Sequence, residues 1–397
     1  MMMTRRTFLE KLLLAAAAGA TGCVDGDRYT DEDVAGLAAQ RAREKELSGT
    51  GPFGVHRYRG YRGLAELPWF ELDGNGNLRC TVEDLPPAFD THAHLGMSLL
   101  LAPEIDLQAR TERVRHLLDC DGEDPGCELD LDVYVNANFT PADLRSLQWG
   151  AVAQLLWGSS AAATHTIPNL LDEMDATGVQ RALVLPIAFG LPFGDDLTER
   201  FMQAIRLAQA EARLMPGASV HHGDPEAVEK LERYARAGAR AVKLHPAGQR
   251  FYPDSDDAME IYEACGRLGL VVFFHAGRAG IEPEYTHQFT VMRNYEAMLR
   301  RFPDVQFVLG HAGARDFADA VPLARKYPNA WMEIHGQGVT RLHELIETVG
   351  SDRLLFGTDW PFYHLAATLA KVLIVTEGRP DVRYAILRGN ADRLFGA

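Results

Sequence analysis

From Ala88 to the end of the chain, short β-branched or aromatic runs alternate with helix-length amphipathic stretches. Eight such runs read as strands: Ala88–His92, Arg181–Ile187, Leu214–Val220, Ala239–His245, Leu270–His275, Val305–His311, Ala330–His335 and Arg353–Asp359. Strands that each hand over to a helix lie parallel, and eight of them predict a closed (β/α)8 TIM barrel of the α/β class. The stretches between them carry helix signals. In 225–237, Pro225 stands at the first turn, Val228, Leu231 and Ala235 share a face, and Gly238 follows the end. An open Rossmann sheet is the alternative, but no G-x-G-x-x-G follows the first strand.

Segments outside this rhythm set the organisation. Residues 1–23 (MMMTRRTFLEKLLLAAAAGATGC) have a positive start, an apolar run and small residues before a cysteine, the pattern of a removable export signal. Thr4-Arg5-Arg6-Thr7-Phe8-Leu9 resembles a twin-arginine signal, and Ala20-Thr21-Gly22-Cys23 a lipoprotein box in which Cys23 would be lipidated. The expectation is an exported, periplasmic or cell-envelope protein whose membrane contact is that anchor. Residues 24–85 form a lead-in, with a β-hairpin predicted over 70–82 around Asp73-Gly-Asn75-Gly-Asn77; the spacing fits turn chemistry better than a calcium loop. The barrel takes 86–397, and about 93–163 is an insertion over its mouth, acidic around Cys120 and Cys127, which an oxidising compartment could pair. Calcium is the minority reading of that acidic run, a solvated loop the majority one.

Six of the 14 histidines fall at or just after predicted strand ends: His92, His94, His245, His275, His311 and His335, with Asp359 ending strand eight. Barrel chemistry sits at that C-terminal face. Residues two apart on a strand point the same way, so His92 pairs with His94 and Lys243 with His245 toward the axis. Neutral imidazoles and a carboxylate converging from separate strands suit a borderline divalent cation such as Zn²⁺.

The motifs Asp90-Thr-His92-Ala-His94, Val242-Lys243-Leu244-His245-Pro246, Phe274-His275-Ala-Gly277, Gly310-His311-Ala-Gly313 and Phe356-Gly-Thr-Asp359-Trp-Pro361 together resemble the amidohydrolase superfamily, in its amidohydrolase-related branch. That branch includes aminocarboxymuconate semialdehyde decarboxylase. The resemblance implies that His92, His94, His275 and Asp359 bind one metal ion, with His311 and Asp359 handling protons in metal-assisted hydrolysis. It also leaves a two-metal scheme open, in which Lys243 is carboxylated and His311 becomes a ligand. His245, Arg278 and His335 are the candidate substrate-binding residues, Arg278 as a fork for a carboxylate. Glu333 shares the inward parity of strand seven, and at most one of His221 and His222 is expected to line the pocket.

Two reactions fit these residues: opening of an amide, lactone or ester of a small molecule, which is preferred, and decarboxylation of an unsaturated or aromatic acid. A barrel that binds a ligand without turnover is the third reading. Other classes are poor fits. A formal charge of −15 with no Lys/Arg block argues against nucleic acid, and no G-x-S-x-G elbow or P-loop is present. A homo-oligomer stays open.

Overall fold

The computed structural model describes residues 24–396 except 122–126, 141, 148–156 and 192–193; the export signal, Cys23 and part of the acidic loop therefore lie outside the described residues. Eight parallel barrel strands are present: Ala88–Ala93, Val179–Val184, Leu214–Pro216, Ala241–Leu244, Val271–Phe274, Phe307–Leu309, Ala330–Glu333 and Leu354–Leu355. Strands one to three form one sheet and strands four to eight another. Parallel bridges Ala218↔Val242 and Ala93↔Trp360 join the two sheets into a ring.

Several strands are shorter than their apolar runs. Strand six stops at Leu309, because His311 and Ala312 turn into left-handed backbone at φ 57° and 47°. Strand eight stops at Leu355, after which the chain still bonds to strand one through Thr91 N–H to Phe356 O and Asp359 N–H to His92 O. Strand one carries a register irregularity between Asp90 and Ala93. It lets Phe89 join the barrel floor with Leu183, Phe273 and Phe395, while the His92 ring, an odd number of residues later, also packs on Phe273 at 4.9 Å. A bulge thus resets the parity that strict alternation would impose.

The amphipathic stretches form the outer helices as their caps dictate. Helix Ile167–Thr177 has Pro at its first turn and ends on Gly178 in the left-handed region, burying Ile167, Leu170 and Met174. Helix Leu365–Val375 is buried throughout and mostly apolar, with Lys371 donating to the Gln337 carbonyl, and it closes the ring behind strand eight.

Lead-in and insertion are built into one cover. Arg57–Arg59 pairs antiparallel with Glu128–Asp130, and Phe70–Leu72 with Leu78–Cys80, where Asp73 accepts from the Asn75 and Asn77 N–H groups. Cys120 and Cys127 are joined by a disulfide. The acids of the insertion tie it down: Asp130 accepts from Arg57 and Ser48, Asp132 from the Gly49 and Thr340 N–H groups, and Asp119 from Arg113. Helix Asp31–Leu47 lies over the loops that follow strands five and six, held by Asp33 with Arg293 and Glu44 with Arg315. Among the described residues, no helix is long and apolar enough to cross a membrane.

Candidate metal centre

Three donor atoms converge above the barrel floor. His92 Nε2, His94 Nε2 and Asp359 Oδ1 are separated by 3.2, 3.3 and 3.1 Å. Two ligands bound tetrahedrally to zinc at its usual bond lengths lie about 3.3 Å apart. The triangle therefore has the edge lengths of one face of such a polyhedron.

Neighbours set the tautomers. His92 donates Nδ1–H to Glu333 Oε2 at 2.9 Å, and His94 donates Nδ1–H to the Leu185 carbonyl at 2.5 Å. Each ring is left with its Nε2 lone pair toward the triangle, the arrangement expected of metal-binding histidines. Burial, and then the nearby Lys243 charge, hold His92 well below the usual imidazole range. Burial pushes the Asp359 carboxyl up, but the groups around it, the Lys243 charge among them, outweigh that and hold it below its ordinary value. Neutral nitrogens and an ionised oxygen are the donor set a cation needs.

A second chain of contacts runs from Glu282 to His311. His275 donates Nε2–H to Glu282 Oε1 at 2.5 Å, leaving Nδ1 to accept from His311 Nε2–H at 3.0 Å. His311 Nδ1 is then buried without a partner. His275, expected as a metal ligand, is not a member of the donor triangle; its Nδ1, now touched by His311, is the ring nitrogen a cation could take. Glycines make this close approach possible. A Cβ on Gly277, at φ 75°, would lie 1.9 Å from the Gly313 carbonyl, so the loops after strands five and six meet there only because Gly277 has no side chain.

Glu333 sits beneath both groups and accepts from His92 Nδ1, the His311 N–H and the His335 N–H. Lys243 places Nζ 2.8 Å from His92 Nε2; burial lowers it and raises Glu333. His335 Nε2 is 3.9 Å from Asp359 Oδ2, and burial brings its imidazole down to about 3. His245 stacks on His275 at 4.0 Å and accepts the Gly248 N–H through Nδ1. His222 stacks on Phe251, with the His221 ring tilted beside it at 4.4 Å, away from these contacts.

Arg278 requires a correction. The sequence places it as a free fork for a substrate carboxylate, but it is buried in a two-pronged pair with Asp316 and also donates to Tyr29 and the Asp33 carbonyl. It anchors the lead-in helix instead. The sequence reading missed Glu282, which no period or motif marks, and the roof residue Asn136, which donates to the Ala279 carbonyl and accepts from Tyr363. The centre is closed: His92 is fully buried, and the Asp359 side chain is only 12% exposed.

The family model described as Amidohydrolase matches residues 90–397, and the chain belongs to the amidohydrolase family. No curated protein matches it. Solved structures similar to it include an uncharacterized TIM-barrel protein from Bordetella bronchiseptica (19% identity, 78% of this chain and 98% of that one, TM-score 0.53). Another is 5-carboxyvanillate decarboxylase from Sphingomonas paucimobilis (19% identity, 64% and 93%, TM-score 0.51). A third is 2,6-dihydroxybenzoate decarboxylase from Rhizobium (17% identity, 77% and 99%, TM-score 0.50). At these identities the likeness is one of fold, the TIM barrel.

Proposed function

We propose that the protein is a metal-dependent hydrolase that opens an amide, lactone or ester bond of a small molecule. The observation that carries this reading is the His92, His94 and Asp359 triangle, with the unpartnered His311 Nδ1 in the same buried cluster. His92, His94 and Asp359 would hold a single divalent ion, Zn²⁺ suiting two imidazoles and a carboxylate, with His275 Nδ1 as the further donor. Bound there, such an ion supplies Lewis acidity, which acidifies a water and polarises a carbonyl.

The chain's own residues do the rest. Asp359 Oδ2, the oxygen away from His92 and His94, is placed to take a proton, and His311 Nδ1 is a second acceptor that can return one to a leaving group. Glu333 keeps the His92 ring in the required tautomer. His335 and His245 flank the cluster and would orient substrate. The roof from Tyr134 to Asn136 excludes water.

One ion is preferred to two. Among the described residues, the other groups of three donors are His311, His335 and Asp359, in which His335 Nε2 lies a longer 3.9 Å from Asp359 Oδ2, and His92, His311 and Glu333. In the latter Glu333 already accepts three hydrogen bonds.

Decarboxylation of an aromatic acid is the second reading, favoured by two fold neighbours that are decarboxylases of aromatic acids. Against it, Arg278 and Arg315, on the loops after strands five and six, are both engaged, with Asp316 and Glu44. Metal analysis of wild type and His92→Ala, followed by a screen of lactones, esters and amides against aromatic acids, tests the proposal. An ion lost in the variant and hydrolytic turnover support it; CO₂ release without hydrolysis replaces it with the second reading.

A further inference from the structure

A second polar cluster lies on the outer side of the barrel, around Glu173 of helix Ile167–Thr177. Its Oε1 accepts the Leu365 N–H at 2.7 Å and lies 3.2 Å from His364 Nδ1. Its Oε2 accepts from His116 Nε2 and from the Trp360 indole N–H, each at 3.1 Å. Burial pushes this carboxyl up, but the charges of His364 and His116 outweigh that and hold it at about 2. None of these four partners belongs to the helix that carries Glu173. His116 comes from the insertion, and the other three come from the segment that follows strand eight.

Trp360 directly follows Asp359, and its side chain is fully buried. The backbone on either side of Asp359 is fixed to strand one. Asp359 N–H bonds to His92 O at 2.7 Å, and His94 N–H bonds to Trp360 O at 2.6 Å. Asp359 itself has φ 57°, a conformation L residues rarely adopt and keep only where the surroundings over-determine it. The Glu173 contact to the indole is the tie from outside the barrel.

We infer that Glu173 is a positioning residue for the metal centre: through the Trp360 indole it fixes the peptide that aims Asp359 at His92 and His94, and through His116 it couples the insertion to that peptide. This rests on the reading of His92, His94 and Asp359 as a cation site. Glu173 does not touch the donor triangle, and its effect passes through main chain.

Two variants separate this role from helix packing. Glu173→Gln places an amide NH₂ among hydrogen-bond donors, so at least one of the four contacts turns repulsive. Trp360→Phe deletes the indole donor together with part of the buried ring's bulk, so its Zn²⁺ affinity is read beside its Tm to separate the lost donor from the lost packing. Zn²⁺ affinity is measured by competition with a chromophoric chelator, and the Co²⁺-loaded visible spectrum reports the ligand field. Both folded variants are expected to bind about 10- to 100-fold more weakly, the usual consequence of removing a group behind a metal ligand, with an altered Co²⁺ spectrum. Should Glu173→Gln fail to fold, Trp360→Phe decides alone. Wild-type affinity and spectrum in Trp360→Phe overturn the inference while the metal reading stands. A wild type that takes up no ion overturns both.

Discussion

The Lys243 ammonium lies 2.8 Å from His92 Nε2, the nitrogen that completes the donor triangle with His94 and Asp359. Both Lys243 and a divalent ion would use the same lone pair. If Lys243 serves only as a positive charge, Lys243→Met removes a competitor and leaves the ion count unchanged, with affinity equal to or above wild type. Metal analysis of the purified variant checks this, together with the intact mass of wild type, in which Lys243 is expected unmodified. Loss of an ion in Lys243→Met would instead establish a carboxylated lysine and the two-metal scheme.

On the proposed reading His311 moves protons through its unpartnered Nδ1, and the triangle does not depend on its ring. His311→Asn is expected to lower kcat by roughly 10²- to 10⁴-fold, the range for removal of a general acid or base, while the ion is retained. Steady-state kinetics paired with metal content on one preparation would show it. A variant that loses ion and activity together would mark His311 as a ligand.

Glu282 fixes the His275 ring through the 2.5 Å contact to Nε2 and also accepts the Ala279 and Gly280 N–H groups. Glu282→Gln replaces an ionised acceptor with an amide that can donate toward His275. Ion affinity or kcat is expected to fall about 10- to 100-fold. Unchanged values would show that the orientation of His275 does not matter to the centre.

Acid should loosen the cover. The hydrogen bond from Arg293 is the main cause that holds Asp33 at about 2, below its ordinary 3.8, and Glu173 is also held at about 2, below 4.5. A carboxyl lowered on folding contributes stability that is complete above its unfolded pKa and is lost as pH falls through the folded one. Tm should therefore fall between about pH 4.5 and pH 2. In Arg293→Ala, Asp33 returns toward its ordinary value, so the variant is less stable at pH 5 and converges on wild type near pH 2. Scanning calorimetry over that range follows both curves, and parallel curves would exclude the Asp33 contact as a source of the dependence.

The disulfide closes a short loop, Cys120 to Cys127 being seven residues apart. Chain entropy assigns a loop of that size about 2 to 3 kcal/mol. Cys120→Ala with Cys127→Ala should lower unfolding stability by no more than this and leave the metal site loaded. Denaturant titration with and without reductant measures the difference.

The barrel and its histidines were legible in the sequence because both obey short-range rules. Strand runs followed by capped helices force parallel pairing, and a strand end is where a barrel presents chemistry, so His92, His94, His275, His311 and Asp359 could be placed by position. Arg278 was misread for a reason position cannot reveal. Its partners Asp316, Tyr29 and Asp33 come from distant parts of the chain, and a guanidinium beside a buried carboxylate is committed to it. Glu282 and Glu173 gave no signal, because a single glutamate on a loop or helix gains meaning only from what folds against it.

The amino-acid order alone determined the alternation, the number of strands and the placing of histidines and Asp359 at strand ends, since periodicity, capping and turn chemistry are local. Tertiary structure decided which lone pairs face one another. The bulge that turns His92 inward, the left-handed backbone at His311 and Asp359, and the carboxylate and carbonyl acceptors that set the tautomers arise from contacts between residues up to hundreds of positions apart, and hydrogen-bond direction is fixed only when those groups meet.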